Sequence, residues 1–151
     1  MYYILDHYYE TNHEETCLVV ACDKTVDEMV EICSVVAFLL EDVVDESAYL
    51  KLDTLLEVLV SCYEVEDIKK EVSDEDLRKL NLPINDVYEH ILVELADGSI
   101  ADMDCYIIDL YSARESCCGK YDEIMEKWLP KGDEMEKMKK TLVSGNIDYR
   151  P

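Results

Sequence analysis

The chain is short of backbone punctuation, of aromatic hydrocarbon and of positive charge. Only 4 Gly and 3 Pro occur in 151 residues, which excludes long structureless linkers. There is one Phe, Phe38, and one Trp, Trp128, against 11 Tyr. No apolar run approaches the ~18 residues that a membrane span needs, so no membrane partner is expected. The stretch MYYILDHYYE is acidic and aromatic, the reverse of a basic targeting segment, so a cytoplasmic protein is expected. Fourteen Lys and Arg face 36 Asp and Glu, a net charge of −22. Direct contact with nucleic acid or an anionic membrane is therefore excluded, because both are polyanions.

What is present begins with a core. Leu, Ile, Val and Phe make up 43 of the 151 residues, well above the roughly 20% floor below which chains stay disordered. The length is that of one ordinary domain. Seven cysteines, Cys17, Cys22, Cys33, Cys62, Cys105, Cys117 and Cys118, fall mostly in apolar stretches such as TCLVVAC and EICSVV. They read as reduced thiols serving as small core hydrophobes. No zinc or other metal is expected, since Cys117 and Cys118 are adjacent, a poor spacing for a tetrahedral site. Asp102-Met103-Asp104 lacks the third acid and the Gly of a calcium loop. Gly119-Lys120 is no phosphate loop, because Arg114 stands where its first Gly should be. A thiol nucleophile at Cys117 or Cys118 would need a histidine base, and no local pattern brings His7, His13 or His90 to it. No catalytic residue, no cofactor and no enzymatic activity are expected.

Period-two apolar patterning predicts a β-hairpin, with strands at roughly 2–10 and 15–22 around the turn-like Thr11-Asn12-His13-Glu14. Thr25 and Glu28 form a capping box that opens a helix running to about residue 44. Ser47 is a candidate cap for a second helix over about 48–64. Ser73-Asp74-Glu75-Asp76 opens a short third helix that stops near Asn81-Leu82-Pro83. Residues 84–112 carry two signals. Ile84, Val87, Tyr88, Ile91, Leu92 and Leu95 have helical spacing and favour a helix over 85–96, then a helix or strand over 100–112. Asp97-Gly98 is instead a hairpin signal. Tyr121–Trp128 and Glu134–Val143 read as helices, with 144–151 as a tail. The expected fold class is α+β, an N-terminal β-hairpin packed on a mostly helical body.

Charge is uneven along the chain. Residues 1–67 hold 17 acids and two bases, Lys24 and Lys51, whereas residues 68–151 hold 19 acids and 12 bases. Charge of this size destabilises a compact state by self-repulsion, and its natural counterpart is a basic surface. Solubility alone is the competing explanation. Salt adaptation fits poorly with a chain rich in bulky apolar residues and Cys. On the first helix, at 100° per residue, Asp27, Glu31, Ser34, Phe38, Glu41 and Asp45 form one narrow stripe, flanked by Asp42 and Glu46. Such a row imitates the charge density of a nucleic-acid backbone. Phe38 among carboxylates has two readings: an interface anchor, or a ring covered by the hairpin or by the second helix. Tyr2, Tyr3, Tyr8 and Tyr9 put rings on both faces of the hairpin, and Tyr suits wet interfaces.

The candidate partner-binding residues are thus Asp27, Glu31, Phe38, Glu41, Asp42, Asp45, Glu46, Tyr2 and Tyr8. They point to a small acidic inhibitor of a nuclease or defence effector, covering the effector's basic, nucleic-acid-binding surface. Small acidic proteins of this kind occur among phage-encoded anti-CRISPR proteins and, as the second choice, among immunity proteins for nuclease toxins. An adaptor or assembly subunit acting through an apolar helical face, homodimerisation included, is the alternative from a different class.

Overall fold

Alternating apolar residues in YYILD and TCLVVA build the first two strands. Tyr2–Asp6 (β1) and Thr16–Ala21 (β2) pair antiparallel, with Tyr3 opposite Val20 and Leu5 opposite Leu18. The computed structural model describes the backbone of residues 2–6, 16–73, 90–94 and 100–147, and side chains within 2–5, 18–67 and 106–145. The hairpin connection lies outside these residues.

The fold is α+β, and the hairpin is the centre of a larger sheet. Glu66–Ser73 (β3), His90–Glu94 (β4) and Ile100–Asp109 (β5) complete five strands in the order β3-β2-β1-β5-β4. β5 runs parallel to β1, and the other neighbours are antiparallel. The helix expected over 85–96 is a strand where it is described, at 90–94. β4 pairs antiparallel with β5, Glu94 opposite Ile100, and ladder pairing overrides helical spacing there. Asp97 and Gly98 themselves, and the helix expected after Ser73, lie outside the described residues. Ser73 ends β3. The segment from 100 to 112 is strand to Asp109 and helix beyond it.

The pleat sorts side chains onto two faces. Tyr3, Leu5, Leu18, Val20 and Ile108 face the helices and join their core. Ile4, Val19 and Ile107 form a row across three strands on the opposite face and are also buried.

Five α-helices are described: Val26–Val43 (α1), Leu52–Cys62 (α2), Leu110–Cys117 (α3), Tyr121–Trp128 (α4) and Asp133–Ile147 (α5). The α1 capping box is formed, with Thr25 N donating to Glu28 Oε1 at 2.9 Å and Glu28 N donating to Thr25 Oγ1 at 3.2 Å. Ser47 does not cap α2. Its amide and hydroxyl donate to Asp45 Oδ1 at 2.9 and 3.0 Å, which turns the chain after α1, and α2 starts only at Leu52. α5 runs on through Ser144–Ile147, residues expected in a tail. There α5 packs closely on α2: a Cβ on Gly145 would clash with Thr54 Oγ1. Glycine at that point lets the two helices approach.

Candidate functional site

α1 is buried nearly all round. Its wide apolar face fills the core, and its narrow stripe is where α3 and α4 dock. Ser34 is fully buried and its hydroxyl donates to Val30 O at 2.7 Å and to Ala113 O of α3 at 3.0 Å. Phe38 is only 5% exposed. Its ring meets Tyr121 of α4 at 5.1 Å between centroids, and the Arg114 guanidinium of α3 lies 5.3 Å from its centroid. The ring is therefore not offered to a partner in this structure.

The acids of the stripe hold the same docked helices. Arg114 Nε and Nη2 donate to the two carboxylate oxygens of Glu41, each at 2.7 Å. This bidentate pair raises the Arg114 pKa, chiefly through the hydrogen bonding. Glu31 Oε1 accepts from Trp128 Nε1 at 2.8 Å and from Lys127 Nζ at 3.4 Å. The Tyr121 hydroxyl donates to Asp42, and that bond is the main reason its pKa is pushed up to about 12. Tyr121 at one end of α4 meets Asp42, and Trp128 at the other meets Glu31, so α4 lies antiparallel to α1.

The remaining candidates divide. Asp27, Asp42, Asp45 and Glu46 are exposed, and the last three gather at the C-terminal end of α1. Tyr2 is exposed, but alternation places it on the sheet face away from the helices, so the sheet separates it from the acids of α1. Tyr8 lies outside the described residues.

Two clefts open at this end of α1, and Glu41, Glu46 and Arg114 line both. The first, of about 270 Å³, has a floor of Ala37, Leu40, Leu50 and Leu110 and carries Tyr49, Tyr111, Glu46 and Glu115 around it. The second, of about 510 Å³, is more polar and is lined by Phe38, Asp42, Cys118 and Tyr121. Arg114 is the one cation among the described residues lining either cleft. Tyr111 is 50% exposed and Tyr121 37% exposed. Tyr49, Tyr111, Arg114, Glu115 and Tyr121 did not emerge as site residues from the sequence, because no local spacing links positions 110–121 to the end of α1.

Cys22, Cys33 and Cys117 are buried, Cys62 is half-buried and Cys118 is exposed; all five are free thiols. Burial pushes Cys33 up to about 12 and raises Cys22 and Cys62, which makes these three poor nucleophiles at neutral pH. Among the described residues no group of three or more His, Cys, Asp or Glu is arranged to hold a metal ion. No described helix is long and apolar enough to cross a membrane. The chain matches no protein-family model, no curated protein and no solved structure.

Proposed function

We propose that the protein is a small acidic inhibitor that binds the basic, nucleic-acid-binding surface of a nuclease or defence effector, in the manner of anti-CRISPR proteins, through the C-terminal end of α1. The observation that supports this reading is the placement of charge. Asp42, Asp45 and Glu46 sit exposed at or just beyond the last turn of α1, which contains no basic residue; Glu41 is paired with Arg114, and Glu115 lines the first cleft. A helix C-terminus carries partial negative charge and favours cations by about 0.3–1 kcal/mol each. Acids there repel both the helix end and one another. Charge serving solubility alone could be spread where it costs nothing. A basic partner would relieve this repulsion on binding, and the exposed rings of Tyr111 and Tyr121 would add apolar contact.

Inhibition on this reading is steric and electrostatic competition with nucleic acid. Long-range attraction speeds encounter and weakens as salt rises. The test is affinity capture of nucleic-acid effectors, Cas nucleases included, at low and high salt, with and without competing DNA or RNA. One effector retained at low salt and displaced by salt or nucleic acid is the expected result. Retention that nucleic acid does not displace would refute competition. Retention of nothing basic would refute the reading altogether.

A further inference from the structure

We propose that the first cleft, between α1 and α3, is a receptor for an arginine side chain of the partner. The inference rests on the preceding reading, that the partner presents a basic surface, and names what the surface inserts.

Size comes first. At about 270 Å³ the cleft falls below the ~300–1,000 Å³ usual for small-molecule sites, which suits a side chain rather than a metabolite. Its construction is amphipathic. The floor of Leu40, Leu50 and Leu110 is apolar, so it accepts the aliphatic stem of a long basic residue. Above it stand the carboxylates of Glu46 and Glu115 and the rings of Tyr49 and Tyr111. A planar guanidinium can pair with carboxylates through its fork and stack on rings at the same time; a compact, strongly hydrated ammonium gains less from rings.

The chain already uses this chemistry once. In the wall of the cleft, Arg114 makes a bidentate pair with Glu41 and lies over the Phe38 ring. Carboxylates and rings occur together again in the lining of the cleft. Arg114 takes up part of this charge: its two short bonds are to Glu41 and its Nη1 also pairs with Glu115 Oε1 at 3.5 Å, so an incoming guanidinium would share Glu115 with Arg114 and meet Glu46 beside it. Counting Glu41, Glu46 and Glu115 against Arg114, the charged lining is net −2. The Asp45–Ser47 turn leads the chain from the end of α1 to Tyr49 and Leu50, which line the cleft together with Leu110 and Tyr111.

The experiment is an NMR titration of the amide- and methyl-labelled protein with tetra-arginine, tetra-lysine and tetra-citrulline peptides at about 150 mM salt. The arginine peptide should bind about fivefold tighter than the lysine peptide, and the citrulline peptide should not bind. Methyl signals of Leu40, Leu50 and Leu110 should move. The Glu46→Gln/Glu115→Gln double variant and Tyr111→Ala should each weaken arginine binding, while Glu134→Gln/Glu136→Gln on α5 should not. These are exposed positions, and the amide spectrum reports whether each variant is folded. Equal affinity for arginine and lysine, unmoved leucine methyls, or cleft variants with unchanged binding would each overturn the assignment. They would leave the inhibitor reading standing if an effector is still captured. Arginine recognition at the cleft without any captured effector would support the receptor and sink the inhibitor reading.

Discussion

Replacing Phe38 with alanine tests whether the stripe of α1 is a packed seam or a surface. An aromatic side chain buries about 150–250 Å², which at ~25 cal/mol per Å² amounts to roughly 4–6 kcal/mol against a fully exposed reference. Phe sits at the low end of that range, and alanine keeps part of the burial. The contact with Tyr121, at 5.1 Å and 56° between rings, adds about 0.5–1.5 kcal/mol. Against this, the ring borders the second cleft, so neighbours can relax into the space it leaves. The expected loss is therefore in the lower part of the ~3–5 kcal/mol seen for core Phe truncation, about 3–4 kcal/mol. For a chain of this length that lowers the melting temperature by roughly 6–16 °C.

The assay is urea unfolding followed by far-UV circular dichroism, with Phe38→Leu as the volume-conserving comparison, expected to cost under about 1.5 kcal/mol. A double-mutant cycle with Tyr121→Ala should give a coupling of about 0.5–1.5 kcal/mol. A Phe38→Ala loss below about 1 kcal/mol with an unchanged denaturant slope would refute the argument. It would mean that the ring is not packed and that α3 and α4 do not dock where they are described.

Gly145→Ala should destabilise by about 1–3 kcal/mol through overpacking against Thr54, and thermal melts of the single and double variants should show Thr54→Ala recovering part of that loss. Arg114→Lys should cost about 0.5–1 kcal/mol in urea unfolding, since it keeps the charge but loses the fork to Glu41; no loss would mean the pair is idle. Alkali should unfold the protein. Cys33 is raised from 9.0 to about 12 and the buried Tyr3 and Tyr63 are raised from 10.0, so the folded state favours the neutral forms. Their contribution is complete below about pH 9 and is lost as pH climbs through 12, which circular dichroism against pH would register. Tyrosinate absorbance, by difference from Tyr121→Phe, should place Tyr121 near 12 rather than 10.0; a midpoint at the ordinary value would remove its bond to Asp42.

Features with a local physical cause were legible in the sequence. The capping box at Thr25 and Glu28, the extent of α1, the α4 segment Tyr121–Trp128 and the pairing of β1 with β2 all follow from spacings within a few residues. Features set by distant pairing were not. β3, the stretch EDIKKEVS, has almost no apolar alternation, and a charged strand of this kind is what a sheet edge tolerates. β4 has helical spacing but a neighbour in β5. α5 continues past its expected end, and there Gly145 meets Thr54, 91 positions earlier. Phe38 belongs with these. Its place in the stripe was readable, but the helices that cover it lie more than seventy residues further on.

The same separation corrects the charge map. Counted along the chain, the first 67 residues hold two bases, and their acids look uniformly uncompensated. In the fold, Arg114 reaches back to Glu41 and Lys127 to Glu31. The stripe thus divides into acids that fasten α3 and α4 and acids at the end of α1 that remain exposed. Reversing Glu31 or Glu41 to Lys would place like charges together inside the docking seam. Binding would then fall because the fold is damaged, which says nothing about a partner. Glu46 is exposed and lines the cleft, whereas Glu115 pairs with Arg114 at 3.5 Å, so Glu46→Lys is the informative reversal. It should leave the free energy of unfolding in urea within about 0.5 kcal/mol of the parent, as surface changes do, while weakening effector capture and flattening its salt dependence. Unchanged capture with unchanged stability would move the binding surface away from the end of α1.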